Sequence, residues 1–215
     1  MSQRRLLLIL GTRTFAVEVA DLASDLPDVT VVGFVENMDR EKAGTRLDGL
    51  PVFWIDEIAS LASSHVAVCA LSTTHRRRFI AQVAALGVPF TTLVHPTARI
   101  SRRAAIAEGT IVSAGAVIAA LAQLGRHVIV NRGALVGHHT SVGDYVTLGP
   151  GANIGGCCTL AEQTYVGIGA IVLDQLSVGR HSIVGAGAVV TRDVGDGVQV
   201  MGVPARVTKE AVEGR

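Results

Sequence analysis

The stretch LGRHVIVNRGALVGHHTSVGDYVTLGPGANIGGCCTL, residues 124–160, has a branched aliphatic at every sixth position: Leu124, Val130, Val136, Val142, Leu148, Ile154 and Leu160. Followed outward in both directions, the beat holds from Ile100 to Val190, sixteen positions without a slip. Six is neither the period of a helix nor that of a simple strand. It is the repeat of a parallel β-helix, in which each hexapeptide supplies one short strand and one turn. Three hexapeptides close a coil, so sixteen make a little over five coils, a prism about 25 Å tall at roughly 4.8 Å per rung.

Glycine follows the aliphatic at 125, 137, 143, 149, 155, 167, 179 and 185. Either a turn with positive φ or a close approach of backbones would demand it there. The residue two before the aliphatic is often Ala, Thr, Ser or Cys, small enough to share the interior. A lone coil cannot bury its aliphatic row, and an open last coil exposes a strand edge, so the prism needs caps and flanking partners. Val117, Ala119, Ala120 and Leu121 point outward yet are apolar, and are expected to lie against another subunit.

Residues 109–125 carry no charge for 17 positions and approach the length of a membrane span, but the six-residue period argues for rungs of the prism and against membrane insertion. The 215 residues are 17% charged, with a formal net charge of +1, which argues against a nucleic-acid or membrane-surface partner. Cys69, Cys157 and Cys158 show no CxxC spacing, and MSQRRLLLILG has too short an apolar core for a signal peptide. A cytoplasmic protein is expected.

Residues 1–95 follow a different grammar. RRLLLIL ending at Gly11, VTVVGFVEN, HVAVCAL and PFTTLVHP read as strands; Phe15 to Leu26 and HRRRFIAQVAALG, stopped by Gly87, read as helices. This alternation predicts a small parallel α/β sheet binding ligands at its carboxyl edge, around Gly11 to Thr14, Glu36, Asn37 and Ser72 to Thr74. After Val190 the repeat ends in GVPAR, and TKEAVEGR reads as a frayed tail or short helix.

Together, LVHPTARIS, the uninterrupted hexapeptides, NRGALVGHHTSVGDYVTLGPGANIGG and VGAGAVVTRDV followed by GVPAR resemble the bacterial sugar O- and N-acyltransferases of the left-handed β-helix superfamily. The nearest groups are the sialic acid O-acetyltransferases and the nucleotide-linked amino-sugar N-acetyltransferases. The resemblance implies a Rossmann-like α/β domain at 1–95 that binds the acceptor, a left-handed parallel β-helix at 96–200 for acyl-CoA binding and catalysis, and a cap at 201–215. It further implies a homotrimer, with acetyl-CoA in the groove between neighbouring prisms as co-substrate and a sugar or nucleotide-sugar acceptor.

By position, His138 falls on the family's catalytic base and Asn131 on a polar residue of the same pocket. Gly156 falls on the amide that faces the thioester carbonyl. Ile168, Ala186, Pro204 and Arg206 fall where CoA lies, and Gly11, Arg13, Thr14, Glu36, Asn37 and Ser72 are the acceptor-side candidates. Counting agrees with the first pair: His138 and Gly156 are one coil apart and stack, so a base and an amide donor sit one rung from each other.

The chain departs from the family where His139 replaces an acid after the base, where Thr147 replaces a second histidine, and where GTRTFA replaces a glycine-rich loop bearing a histidine. His139 is open between a role behind His138 and a solvated side chain. Arg76 to Arg78 could meet a phosphate or form a solvated helix face. No two histidines are separated by five residues, the spacing of zinc-binding β-helix enzymes, so no metal is expected; Cys157 and Cys158 read as small core fillers. Two alternatives stay open: a non-catalytic β-helix scaffold, and an acyltransferase of the same fold with a non-sugar acceptor.

Overall fold

The computed structural model describes residues 4–215. The chain forms two compact units, one running up to Ser72 and resuming at Arg76–Pro96, the other made of Thr97–Arg215 with Thr73–His75.

The first unit is a five-stranded sheet built from β1 (Arg5–Leu10), β2 (Val29–Glu36), β3 (Arg46–Leu47), β4 (Leu50–Trp54) and β5 (His65–Cys69), in the order β3-β4-β2-β1-β5. All pairings are parallel except the β3–β4 hairpin. Leu7, Leu8, Ile9 and Leu10 are fully buried, as a central strand covered on both faces requires. Helix α1 (Thr14–Ser24) buries Ala16, Val19, Ala20, Leu22 and Ala23; α2 (Arg77–Ala85) buries Phe79, Ile80 and Val83 and stops before Gly87, whose φ is +78°. The hairpin was not expected, although its signal is present: Asp48 and Gly49 both take positive φ, the two-residue turn that an Asp-Gly pair favours. PFTTLVHP yields only one two-residue strand, β6 (Leu93–Val94), while Phe90 makes a single parallel bridge to Ala67.

The second unit is a parallel β-helix. From Arg99–Ile100 to Val189–Val190, sixteen two-residue strands recur every six residues, and the first thirteen each pair in parallel with the strand eighteen residues on, as Leu135–Val136 does with Asn153–Ile154. From Val112 to Val190 the repeat aliphatics are buried; Ile100 and Ile106, on the opening coil, are half-covered. The small residues two places earlier share the interior. Where they are hydroxylated they hydrogen-bond between rungs: Thr140 Oγ1 donates to the Gly155 carbonyl at 2.9 Å and accepts from the Cys158 amide at 3.2 Å. A buried polar group is thereby satisfied inside an aliphatic column.

The three faces differ in their outward residues. Ala105, Gln123, Ser141, Thr159 and Ser177 form an exposed, mostly polar column; Ile111, Ile129, Thr147 and Tyr165 form a buried one. The third face exposes Val117, Leu135 and Ile171 at 37%, 39% and 36%.

The glycine after each aliphatic serves close approach. None of the eight has positive φ, and a Cβ at Gly137 would meet the Gly155 carbonyl carbon at 2.4 Å, or at Gly155 the Asp174 nitrogen at 2.5 Å. Positive φ falls two residues later. One corner meets it with Gly115, Gly133, Gly151, Gly169 and Gly187, while the next uses Leu121, His139, Cys157 and Gln175. The chain beyond Thr208–Lys209 does not fray into solvent: strand Arg206–Lys209 pairs antiparallel with Gln199–Met201, and the Arg215 guanidinium stacks 4.5 Å over the Tyr165 ring and donates to its hydroxyl. Among the described residues no helix is long and apolar enough to cross a membrane.

Candidate active site

Strand Leu135–Val136 ends at a corner of the coil, and Gly137 lets the next rung approach so closely that residues 138 and 139 overhang 156 and 157. The Cys157 amide donates to the His138 carbonyl at 2.8 Å, fixing this register. The imidazole of His138 lies directly over Gly156: a Cβ there would meet its Cε1 and Nε2 at 2.7 Å. Unlike Gly137 and Gly155, where backbone is nearest, the atoms nearest to a Cβ at Gly156 belong to this ring. Its N–H donates to no group among the described residues, and its carbonyl accepts from Gln175 N at 2.8 Å.

His138 Nδ1 lies 3.1 Å from His139 Nδ1, with the two rings edge to face at 88°. Both nitrogens cannot carry protons in this contact, so one donates and the other accepts. Cys157 Sγ lies 4.0 Å from the same His138 nitrogen, and all three side chains are exposed. Reading Cys157 and Cys158 together as core fillers is therefore corrected for Cys157. The positive φ of 57° that makes it a corner residue turns its side chain outward. Cys158 does fill an interior slot, where it donates to the Leu173 carbonyl at 3.1 Å and burial raises its thiol.

The other β-helix candidates lie elsewhere. Asn131 is buried at the start of the preceding corner, its Oδ1 accepting from Arg132 N at 3.0 Å. Ile168, 60% exposed, and Ala186 lie on the same glycine-built corner, in the column of Arg132 and Pro150 beside it. Pro204 lies in the closing hairpin, and Arg206 lines a cleft of about 170 Å³ with Arg192 and Asp193.

In the first unit, Gly11, Asn37 and Ser72 follow the adjacent strands β1, β2 and β5 at one sheet edge, and Arg13 precedes α1, whose first residue is Thr14. Glu36 belongs to this edge but turns on its own loop. Burial pushes its carboxyl up, yet hydrogen bonds from Thr12 Oγ1 and from the amides of Met38, Asn37 and Asp39 outweigh that and hold it below its ordinary value. Thr12, inside the quoted loop but not singled out, is the residue that ties the β1 and β2 ends together. Arg76 is buried beside Cys69, leaving only Arg77 and Arg78 exposed to meet an anion.

No protein-family profile matches the chain, and no curated protein sequence does. Solved structures do. The acetyltransferase domain of PglB from Neisseria gonorrhoeae FA1090, in complex with acetyl coenzyme A, is 33% identical with a TM-score of 0.87, over 95% of this chain and 99% of that one. A histidine-to-asparagine variant of perosamine N-acetyltransferase from Caulobacter crescentus, in complex with CoA and GDP-perosamine, is 28% identical with the same TM-score, over 95% and 97%. WeeI from Acinetobacter baumannii AYE is 27% identical with a TM-score of 0.86, over 94% and 99%.

The prism fits a left-handed β-helix, and the chain is an acyltransferase of the hexapeptide-repeat class. Within that class it belongs to the bacterial sugar acyltransferases.

Proposed function

We propose that the chain transfers the acetyl group of acetyl-CoA to the amine of a nucleotide-linked amino sugar, with His138 as general base and the Gly156 amide as oxyanion donor. The observation that carries this is the imidazole seated over Gly156, its Cε1 and Nε2 2.7 Å from where a Cβ would stand. The acceptor class is supported by the CoA and GDP-perosamine complex of the perosamine enzyme.

The amine nitrogen attacks the thioester carbonyl carbon while His138 Nε2 removes its proton. The tetrahedral oxyanion meets the Gly156 N–H, the C–S bond breaks, and the CoA thiolate takes the proton back from the imidazolium. For Nε2 to accept, the neutral ring must carry its proton on Nδ1, which then donates to His139 Nδ1 at 3.1 Å. His139 thus takes the acid's place as a neutral acceptor and positioning residue.

Acceptor binding is assigned to the Rossmann-like residues 1–95, with Gly11, Arg13, Thr14, Asn37 and Ser72 facing the ligand and Glu36 shaping their loop. Acyl transfer is assigned to 96–200 and capping to 201–215. A homotrimer is supported by the division of the candidates: His138 and Gly156 occupy one corner, Asn131, Ile168 and Ala186 the other, and the exposed column of Val117, Leu135, Asn153 and Ile171, apolar but for Asn153, runs between them. A neighbouring copy seated on that face would bring one corner of each prism to a shared CoA groove, joined by Pro204 and Arg206. Three unpaired cysteines fit a reducing, cytoplasmic setting.

The test follows thiol release from acetyl-CoA with UDP- and GDP-linked amino sugars. His138→Ala is expected to lower turnover roughly a hundredfold or more with CoA affinity nearly unchanged by calorimetry. Undiminished turnover removes His138 from the chemistry, and absence of acetyl-CoA binding overturns the reading altogether.

A further inference from the structure

His138, His139 and Cys157 each offer a ligand atom, and the three atoms lie within 4.8 Å of one another. Two of them are imidazole nitrogens 3.1 Å apart, and the sulfur is 4.0 Å from the first. A tetrahedral zinc ion with bonds of about 2.0–2.1 Å to nitrogen and about 2.3 Å to sulfur needs edges of roughly 3.3 Å between nitrogens and 3.6 Å between nitrogen and sulfur. The two separations of 3.1 and 4.0 Å lie close to those edges, and all three side chains are exposed. The coil produces the cluster: His139 and Cys157 occupy the same left-handed corner position on successive rungs, with φ of 58° and 57°, and His138 precedes the upper one. A search for histidines five apart along the chain misses a site made by residues 18 and 19 apart. The other two thiols do not compete. Burial pushes Cys69 up to about 11, and Cys158 is raised by burial inside the prism.

We propose that these three side chains form an exchangeable site for a thiophilic first-row divalent cation, Zn²⁺ above all, bound through His138 Nδ1, His139 Nδ1 and Cys157 Sγ with a fourth position open to solvent, and that occupancy silences acyl transfer. Thiolate with imidazole selects such a cation over Mg²⁺ or Ca²⁺. Water ligands leave the hydrated cation as two metal–nitrogen bonds and one metal–sulfur bond form, the Cys157 thiol proton is released to solvent, and the His138 proton passes from Nδ1 to Nε2 through solvent. The silencing rests on the reading of His138 as base. A metal on Nδ1 confines the neutral ring's proton to Nε2, which can then accept none from the acceptor. The metal is a regulator at this site and takes no part in the transfer.

The experiment titrates Co²⁺ into the chelator-treated 215-residue chain and follows absorption, then measures acetyl transfer with increasing Zn²⁺. The expected result is a thiolate-to-cobalt charge-transfer band saturating at one equivalent per chain, and Zn²⁺ inhibition reversed by chelator. Cys157→Ser should abolish the band and weaken Zn²⁺ inhibition roughly tenfold or more. In chelator it should keep near wild-type turnover, which also shows that it folds. No charge-transfer band, or a band that survives in Cys157→Ser, overturns the site. A band lost in Cys157→Ser with full turnover of the Zn²⁺-saturated wild type leaves the site standing and overturns its silencing role together with the assignment of His138 Nε2 as base.

Discussion

His139 stands where an acid is expected after the base, and in the proposed mechanism its Nδ1, 3.1 Å from His138 Nδ1, serves as a neutral acceptor in the acid's place. A carboxylate accepts the Nδ1 proton and stabilises the imidazolium; a second imidazole accepts the proton but adds no charge. His139→Ala should therefore lower turnover roughly tenfold. His139→Glu should restore it and move the acidic limb of the kcat/KM profile to higher pH, because an adjacent negative charge raises the pKa of the base. Measured pH profiles of both variants decide this, and an unchanged rate and profile in His139→Ala would leave His139 a solvated side chain. The stacking of His138 over Gly156 was legible from their spacing, while the roles proposed for them come from the resemblance. The contact with His139 was not, since which nitrogen faces which depends on side-chain torsions; nor was the outward turn of Cys157, whose identity suits an interior slot equally well.

At the level of the rung, the hexapeptide has two demands that the sequence pattern merges into one. Close stacking excludes a Cβ after the aliphatic, while the left-handed turn residue two places on tolerates His, Cys or Gln where a side chain is put to use. That tolerance lets one corner carry His139 and Cys157 and leaves another to glycine. Inside the prism, Thr140 links the Gly155 carbonyl to the Cys158 amide directly beneath the candidate base. Thr140→Val keeps the shape but leaves a buried amide and carbonyl unpaired, at a cost of about 1–3 kcal/mol. Urea unfolding should show that loss, and turnover should fall with it as the Gly155–Gly156 segment relaxes; an unchanged midpoint would show that the hydroxyl contributes nothing net.

For the molecule as a whole, the column of Val117, Leu135 and Ile171 is the face to test. Leu135→Asp puts a charge at its centre, and a shift from trimer to monomer by light scattering, with loss of turnover, is expected; a wild-type monomer with full turnover would overturn the trimer. The prism follows from the repeat alone, in its period, its rung count and the stacking of 138 on 156, because a strict repeat converts spacing along the chain into position in space. It also carried the alternation of the first unit, apart from a hairpin hidden behind Pro51. The surroundings of the candidate side chains come from the folded packing instead. Glu36 is spent on its own loop, Arg76 is buried, and Asn131 and His138 stand at different corners. Those outcomes depend on which hydrogen-bond donors and which neighbours surround each side chain, and a one-dimensional pattern records neither.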